Sequence, residues 1–199
     1  MNVHSVNNGL MQPKWASISS LNGKASQGTF ASAANYCGDA GQLDGDALIS
    51  GSIRMSGTSW LNASAYKADD YSDDNPIMRV VGKDVCGAPF EKFVKIKDVD
   101  PRSASFIELF ALDGYNAATG ERVGSFARAA SAGMQSQAIA NGGSGEDWGA
   151  EINGFTKFNM VSSVFHLMKL QQQYGNFEAS MHLQGIYDSM NMHIKRYGL

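Results

Sequence analysis

The alternation of apolar and polar positions is clearest in the middle of the chain. Ile77 to Lys83 is rich in β-branched and apolar residues and reads as a strand. Asp84-Val85-Cys86-Gly87-Ala88-Pro89 reads as a turn: Gly87 supplies the positive φ of a short loop, Asp84 can accept from turn amides, and Pro89 precedes the next strand. From Phe90 to Lys97 the period is two, with Phe90, Val94 and Ile96 on one face and mostly charged residues on the other, the pattern of a half-buried antiparallel ribbon. Asp100-Pro101 then offers an N-cap and a first-turn proline, with Ser103 as a competing cap. The spacing predicts a buried helix with its body over Ala104 to Leu112 and a stop at Asp113-Gly114.

Three further helices follow from spacings of three and four. Val123, Phe126, Ala127, Ala130, Met134 and Ala138 predict one from about Glu121 to Ala140, whose alanine-rich stripe permits close approach of a neighbouring helix. Asn141 to Gly149 reads as a linker; the glycines are followed by no lysine, so a phosphate-cradling loop is not supported. Phe158 to Gln173 has a broad apolar face and ends at Tyr174-Gly175-Asn176. From about Phe177 to Arg196, Leu183, Ile186, Met190, Ile194 and Tyr197 form one stripe, which predicts an antiparallel helical hairpin with its predecessor. Met168, Met181, Met190 and Met192 could line an adaptable groove, but methionine on a helical stripe more often fills a core.

Ahead of Trp60 the pattern thins. Met1 to about Gly57 is rich in Ser, Gly, Asn and Ala, which is too little apolar surface to offset the entropy of ordering, and reads as flexible. Trp15, Ile18 and Leu21 at helical spacing, and Leu48, Ile49, Ile53 and Met55 as a brief strand or docking element, are its exceptions. The expected organisation is a flexible tail over residues 1–58 and a single α+β domain over 59–199, with an antiparallel β-hairpin or small sheet packed on about four helices.

Composition narrows the function classes. The chain has 199 residues and a formal net charge of −3, with its 16 basic residues scattered, which argues against nucleic acid and anionic membranes as partners. No apolar run approaches the roughly 20 residues that span a bilayer, and Met1 to Lys14 lacks the apolar core of a secretory signal. A cytoplasmic location is expected, with export by a signal-peptide-independent route as the alternative. The two cysteines, Cys37 and Cys86, form no CxxC pair, and reduced thiols are the expectation.

Candidate chemistry is sparse. Asp69, Asp70, Asp73 and Asp74 lie close together, and Asp70, Asp73 and Asp74 are the candidate calcium ligands. An EF-hand counted from Asp70 would need glycine at position six and glutamate at twelve, where Asn75 and Val81 stand, so a solvated acidic loop is preferred and no cofactor is expected. A thiol nucleophile would pair Cys86 with His166 or His182 and use Asp84 or Asp188 to orient the base. His182 and His193, both in the last helix, lack the i, i+4 spacing of a zinc pair.

The string Tyr66-Lys67-Ala68-Asp69-Asp70-Tyr71-Ser72-Asp73-Asp74-Asn75-Pro76, the hairpin ending in Phe90-Glu91, Asp100-Pro101, and Ala104-Ser105-Phe106-Ile107-Glu108-Leu109-Phe110-Ala111-Leu112 together resemble a family of uncharacterised proteins from Gram-positive anaerobes. The resemblance covers about a quarter of the chain. It implies a common fold and carries no activity or site residues. The functional expectation is a protein-interaction or structural module with an unknown protein partner; an enzyme using Cys86 with a histidine is the alternative.

Overall fold

The computed structural model describes residues 46–56, 59–121, 124–143 and 153–199. Four strands, β1 (Ile49–Ser56), β2 (Ser59–Lys67), β3 (Ile77–Lys83) and β4 (Pro89–Lys95), form an antiparallel meander in the order β1-β2-β3-β4. Among the described residues four α-helices follow: α1 (Phe106–Thr119), α2 (Phe126–Ala140), α3 (Met160–Gln173) and α4 (Phe177–Tyr197). The fold class is α+β, as the sequence predicts.

Pairing of Ile53 with Leu61, Ala65 with Val80, and Met78 with Val94 fixes the register. Because side chains alternate along a strand, Ile53, Leu61, Ala63, Ala65, Met78, Val80 and Val94 share one face, and all are buried. Small residues in that face let α1 come close. A Cβ on Gly114 of α1 would lie 2.7 Å from the Ala65 Cβ, and the Phe110 ring reaches within 3.6 Å of where a Gly51 Cβ would sit. The opposite face of the sheet carries Trp60, Arg79, Glu91 and Phe93, and Phe93 is exposed there.

The hairpin turn matches its sequence chemistry. Asp84 Oδ1 accepts from the Cys86 and Ala88 N–H groups, both at 2.9 Å, and Gly87 has φ +81°. β3 occupies Ile77–Lys83 as expected, whereas β4 stops at Lys95 because Ile96–Asp98 winds into a 3₁₀ turn that buries Ile96.

Four further boundaries differ from expectation. The folded unit begins before residue 59: β1 pairs with β2, and Ile53 and Met55 are buried in the core. The expected tail up to residue 45, with Trp15, Ile18, Leu21 and Cys37, lies outside the described residues, as does the linker over 144–149. Asp100 caps only a 3₁₀ turn, Pro101–Ser103, by accepting the Arg102 N–H. The α-helix starts later, on a capping box in which Ser105 accepts the Glu108 N–H and the Glu108 carboxylate accepts the Ser105 N–H at 2.7 Å. Asp113-Gly114 does not end α1, which runs on to Thr119 and closes on Gly120 at φ +78°. Helix α2 begins at Phe126 rather than Glu121, because Ser125 is its N-cap and the Asp113 carboxylate accepts the Phe126 N–H at 2.7 Å.

The predicted close approach of α2 is realised at Gly133, where a Cβ would stand 2.1 Å from the Ser163 carbonyl oxygen of α3. α3 and α4 pack as a hairpin through the turn at Tyr174-Gly175-Asn176, with Asn159 and Asn176 as their N-caps. Lys195 and Arg196 occupy the last turn of α4, where a cation suits the helix dipole.

Candidate functional site

The thiol candidates sit on separate elements. Cys86 is a free, exposed cysteine at the tip of the β3–β4 turn, and the nearby Asp84 carboxylate is engaged with turn amides. His166 lies half-buried on α3, its Nε2 shielded from solvent without a hydrogen-bond partner. His182 is exposed on α4, with its Nε2 against Gly124. Asp188 accepts from Gln184 Nε2 at 2.8 Å. Among the described residues no hydrogen bond joins Cys86 to His166 or His182.

Asp70, Asp73 and Asp74 are exposed on the β2–β3 loop, which is closed by Ser72 and Asn75 exchanging backbone hydrogen bonds at 3.4 and 3.1 Å. Among the described residues no group of three or more His, Cys, Asp or Glu is placed to hold a metal ion. Two open surface depressions of about 350 Å³ each lie beside the sheet. One is lined by Lys95, Asp98 and Glu108 near β4, the other by Asp46, Tyr66 and Arg79. Neither contains Cys86, His166 or His182.

Among the described residues, the buried Asp113 and His193 both serve the fold. Burial pushes the Asp113 carboxyl up to about 7, against the Ser125, Phe126 and Ala127 donors that favour its charged form. His193 on α4 bonds the Val99 carbonyl oxygen through Nε2 at 3.0 Å and is held below its ordinary pKa by burial.

The distinctive surface lies on the C-terminal hairpin. Of nine large hydrophobic side chains exposed among the described residues, Phe165, Tyr174, Phe177, Met181 and Met192 belong to α3, its terminal turn or α4. Tyr174 is 66% exposed, Phe177 67% and Met181 70%. Asn176 starts α4 by accepting the Ala179 N–H at 3.4 Å, so Phe177 is the first helical residue and Met181 lies one turn further along the same side. Phe165 is a further exposed ring on α3, 5.6 Å from that of Tyr187 on α4, with the Lys169 ammonium 5.5 Å from it.

The four methionines therefore divide. Met168 and Met190 fill the core at 3% and 0% exposure, whereas Met181 and Met192 stand outside at 70% and 58%. The sequence expectation named the inner stripe of α4, and Leu183, Ile186 and Met190 are buried as it requires. It missed Tyr174 and Phe177 as surface residues. Their signal was local: both flank Gly175-Asn176, where the chain reverses and a side chain has no neighbouring element above it.

Comparison of the chain with protein-family models, with curated proteins and with solved structures finds no match. Among the described residues no helix is long and apolar enough to cross a membrane.

Proposed function

We propose that the chain is a protein-interaction module whose docking surface is the outer side of the α3–α4 hairpin. The observation that carries this reading is the run Tyr174, Phe177 and Met181, each about two-thirds exposed at the end of a packed helical hairpin. Aromatic residues and methionine concentrate in the cores of protein interfaces, and exposed apolar side chains gathered at one end of a structure favour burial by a partner. The hairpin is held to the body by Leu167, Met168, Leu183, Ile186 and Met190, so the patch is presented on a rigid support. The thiol-enzyme alternative has less behind it, since Cys86, His166 and His182 lie on three different elements. A cytoplasmic location suits the free, exposed Cys86 thiol, with signal-peptide-independent export as the alternative.

The test uses immobilised full-length protein against native lysate, wild type beside a Phe177→Asp/Met181→Asp double variant. A stoichiometric protein held by the wild type and lost from the variant is the expected result, with unchanged thermal unfolding showing that the fold is intact. Capture of the same proteins by both forms would overturn this surface as the docking site.

A further inference from the structure

Helix α4 carries a second stripe on the side away from the core. Glu178, Met181, Gly185, Asp188, Met192 and Lys195 recur at alternating intervals of three and four, and all six are exposed. That is the heptad spacing of a helix that packs lengthwise on another helix. The inner stripe of Ser180, Leu183, Ile186, Met190 and His193 meets the rest of the fold, and among the described residues no element covers the outer one.

Gly185 sharpens the point. A Cβ added there would meet nothing within 4 Å. Glycine inside a helix costs roughly 1 kcal/mol relative to alanine, and among the described residues no contact requires it. A glycine at this place on a heptad stripe leaves room for a side chain from outside.

The stripe is complementary to itself in one orientation. When two copies of α4 pack antiparallel, layer by layer as in an antiparallel coiled coil, Glu178 stands opposite Lys195 of the second copy. Met181 then stands opposite Met192, and Gly185 opposite Asp188 with its Gln184 partner. The twofold axis repeats the same three layers. Two ion pairs close the ends, two methionine layers lie inside them, and the glycines accommodate the carboxylates at the centre. A parallel arrangement would instead set Glu178 on Glu178, Asp188 on Asp188 and Lys195 on Lys195, three layers of like charge.

We propose that the occupant of this face is a second copy of the chain, docked antiparallel through α4 to give an isologous dimer. The proposal rests on the interaction-module reading and names the partner of the same hairpin. A single pair of helix faces buries less than the roughly 1,200–2,000 Å² of a standard interface, so the dimer is a weak one, with Kd of order micromolar.

Sedimentation velocity of the full-length chain from about 5 µM to about 500 µM tests it, with single and double charge reversals in α4. The wild type should move toward twice the monomer mass as concentration rises. Glu178→Lys and Lys195→Glu should each raise Kd about tenfold by setting like charges opposite one another. The double variant, Glu178→Lys with Lys195→Glu, re-creates the pair with its signs exchanged and should return Kd to within about twofold of the wild type. All these positions are exposed, and circular dichroism reads whether the helix content is kept. A chain that stays monomeric throughout, single reversals without effect, or a double variant that fails to recover each overturns the proposal. If the chain is monomeric while the lysate experiment still captures a different protein through Phe177 and Met181, the second copy is excluded and the module reading stands; a monomer that captures nothing removes both.

Discussion

The Asp113 carboxylate, in the second half of α1, accepts the Phe126 N–H at 2.7 Å and so caps the start of the next helix. Its other oxygen takes the Ser125 hydroxyl at 2.6 Å and the Ala127 N–H at 3.3 Å. One side chain thus satisfies two of the N–H groups that every helix leaves unpaired at its N-terminus, where the helix dipole also favours a carboxylate. Asp113→Ala should lower stability by roughly 2–4 kcal/mol in urea unfolding, because it strands two backbone donors in the interior.

The same group gives stability a pH dependence of defined sign. Burial raises the folded carboxyl from its ordinary 3.8 to about 7. Between those values the folded chain holds a proton that the unfolded chain has released, so stability falls as pH rises through this interval and is level on either side. At 1.36 kcal/mol per unit the change is at most about 4 kcal/mol. Urea midpoints from pH 4 to pH 7 should fall more steeply for the wild type than for Asp113→Asn, which cannot titrate. Parallel curves would contradict the buried carboxyl as their source.

His193 contributes in the opposite direction. Burial lowers its pKa, Arg196 adds to that, and the bond to Val99 and the Asp100 carboxylate oppose it. The fold therefore resists a proton that the unfolded chain accepts below the ordinary value of 6.5, and stability is present above 6.5 and lost as pH falls through the lower folded value. His193→Gln should cost about 1 kcal/mol at pH 7.5 and remove that acid-side loss. The measurement is the wild-type minus variant difference across the pH series; an equal difference at every pH would show that His193 does not titrate in the fold.

How far the sequence discloses this structure follows from the range of each interaction. β3, α3 and α4 were legible because their apolar periods and flanking Gly and Asn act within a few residues. Asp113-Gly114 misleads because its chemistry is that of a stop, while its actual uses are distant: Asp113 caps α2, and Gly114 makes room for Ala65 of β2. Asp100-Pro101 is likewise a true cap, but of a 3₁₀ turn, and Ser105 with Glu108 takes the helix. For β1, where Leu48, Ile49, Ile53 and Met55 read as a brief strand or docking element, the serine-rich composition hid only that it belongs to the folded unit, in which Ile53 and Met55 are buried and the strand pairs with β2. In the candidate site, Met181 and Met190 are the same residue type on the same helix. The side that faces inward is set by the larger stripe of Leu183 and Ile186, and composition alone does not rank the two.

The α2–α3 contact makes a sharp prediction about glycine. Gly133→Ala improves local helix propensity by about 1 kcal/mol, yet its Cβ would stand 2.1 Å from the Ser163 carbonyl oxygen. Backbone cannot swing aside as a flexible side chain can, so a net loss of about 2 kcal/mol is expected. Gly185→Ala is the control, with no neighbour within 4 Å and an expected gain of about 1 kcal/mol in dilute solution. If both variants shift stability alike, α2 and α3 are not in backbone contact at Gly133.

The β3–β4 turn separates the thiol from the fold. Asp84 holds the turn by accepting the Cys86 and Ala88 backbone N–H groups at 2.9 Å each, and Gly87 supplies φ +81°, while the Cys86 side chain projects into solvent. Asp84→Ala should therefore cost about 1 kcal/mol and Gly87→Ala a similar amount, the first through lost hydrogen bonds and the second through left-handed backbone strain. Cys86→Ser should leave the unfolding midpoint within about 0.5 kcal/mol of the wild type, since the turn uses its amide and not its sulfur. Native-state alkylation gives an independent reading: an exposed thiol reacts with iodoacetamide without prior unfolding. A large loss in Cys86→Ser, or protection of Cys86 from alkylation, would mean that the sulfur is packed against something, and the turn could no longer be explained by Asp84 and Gly87 alone.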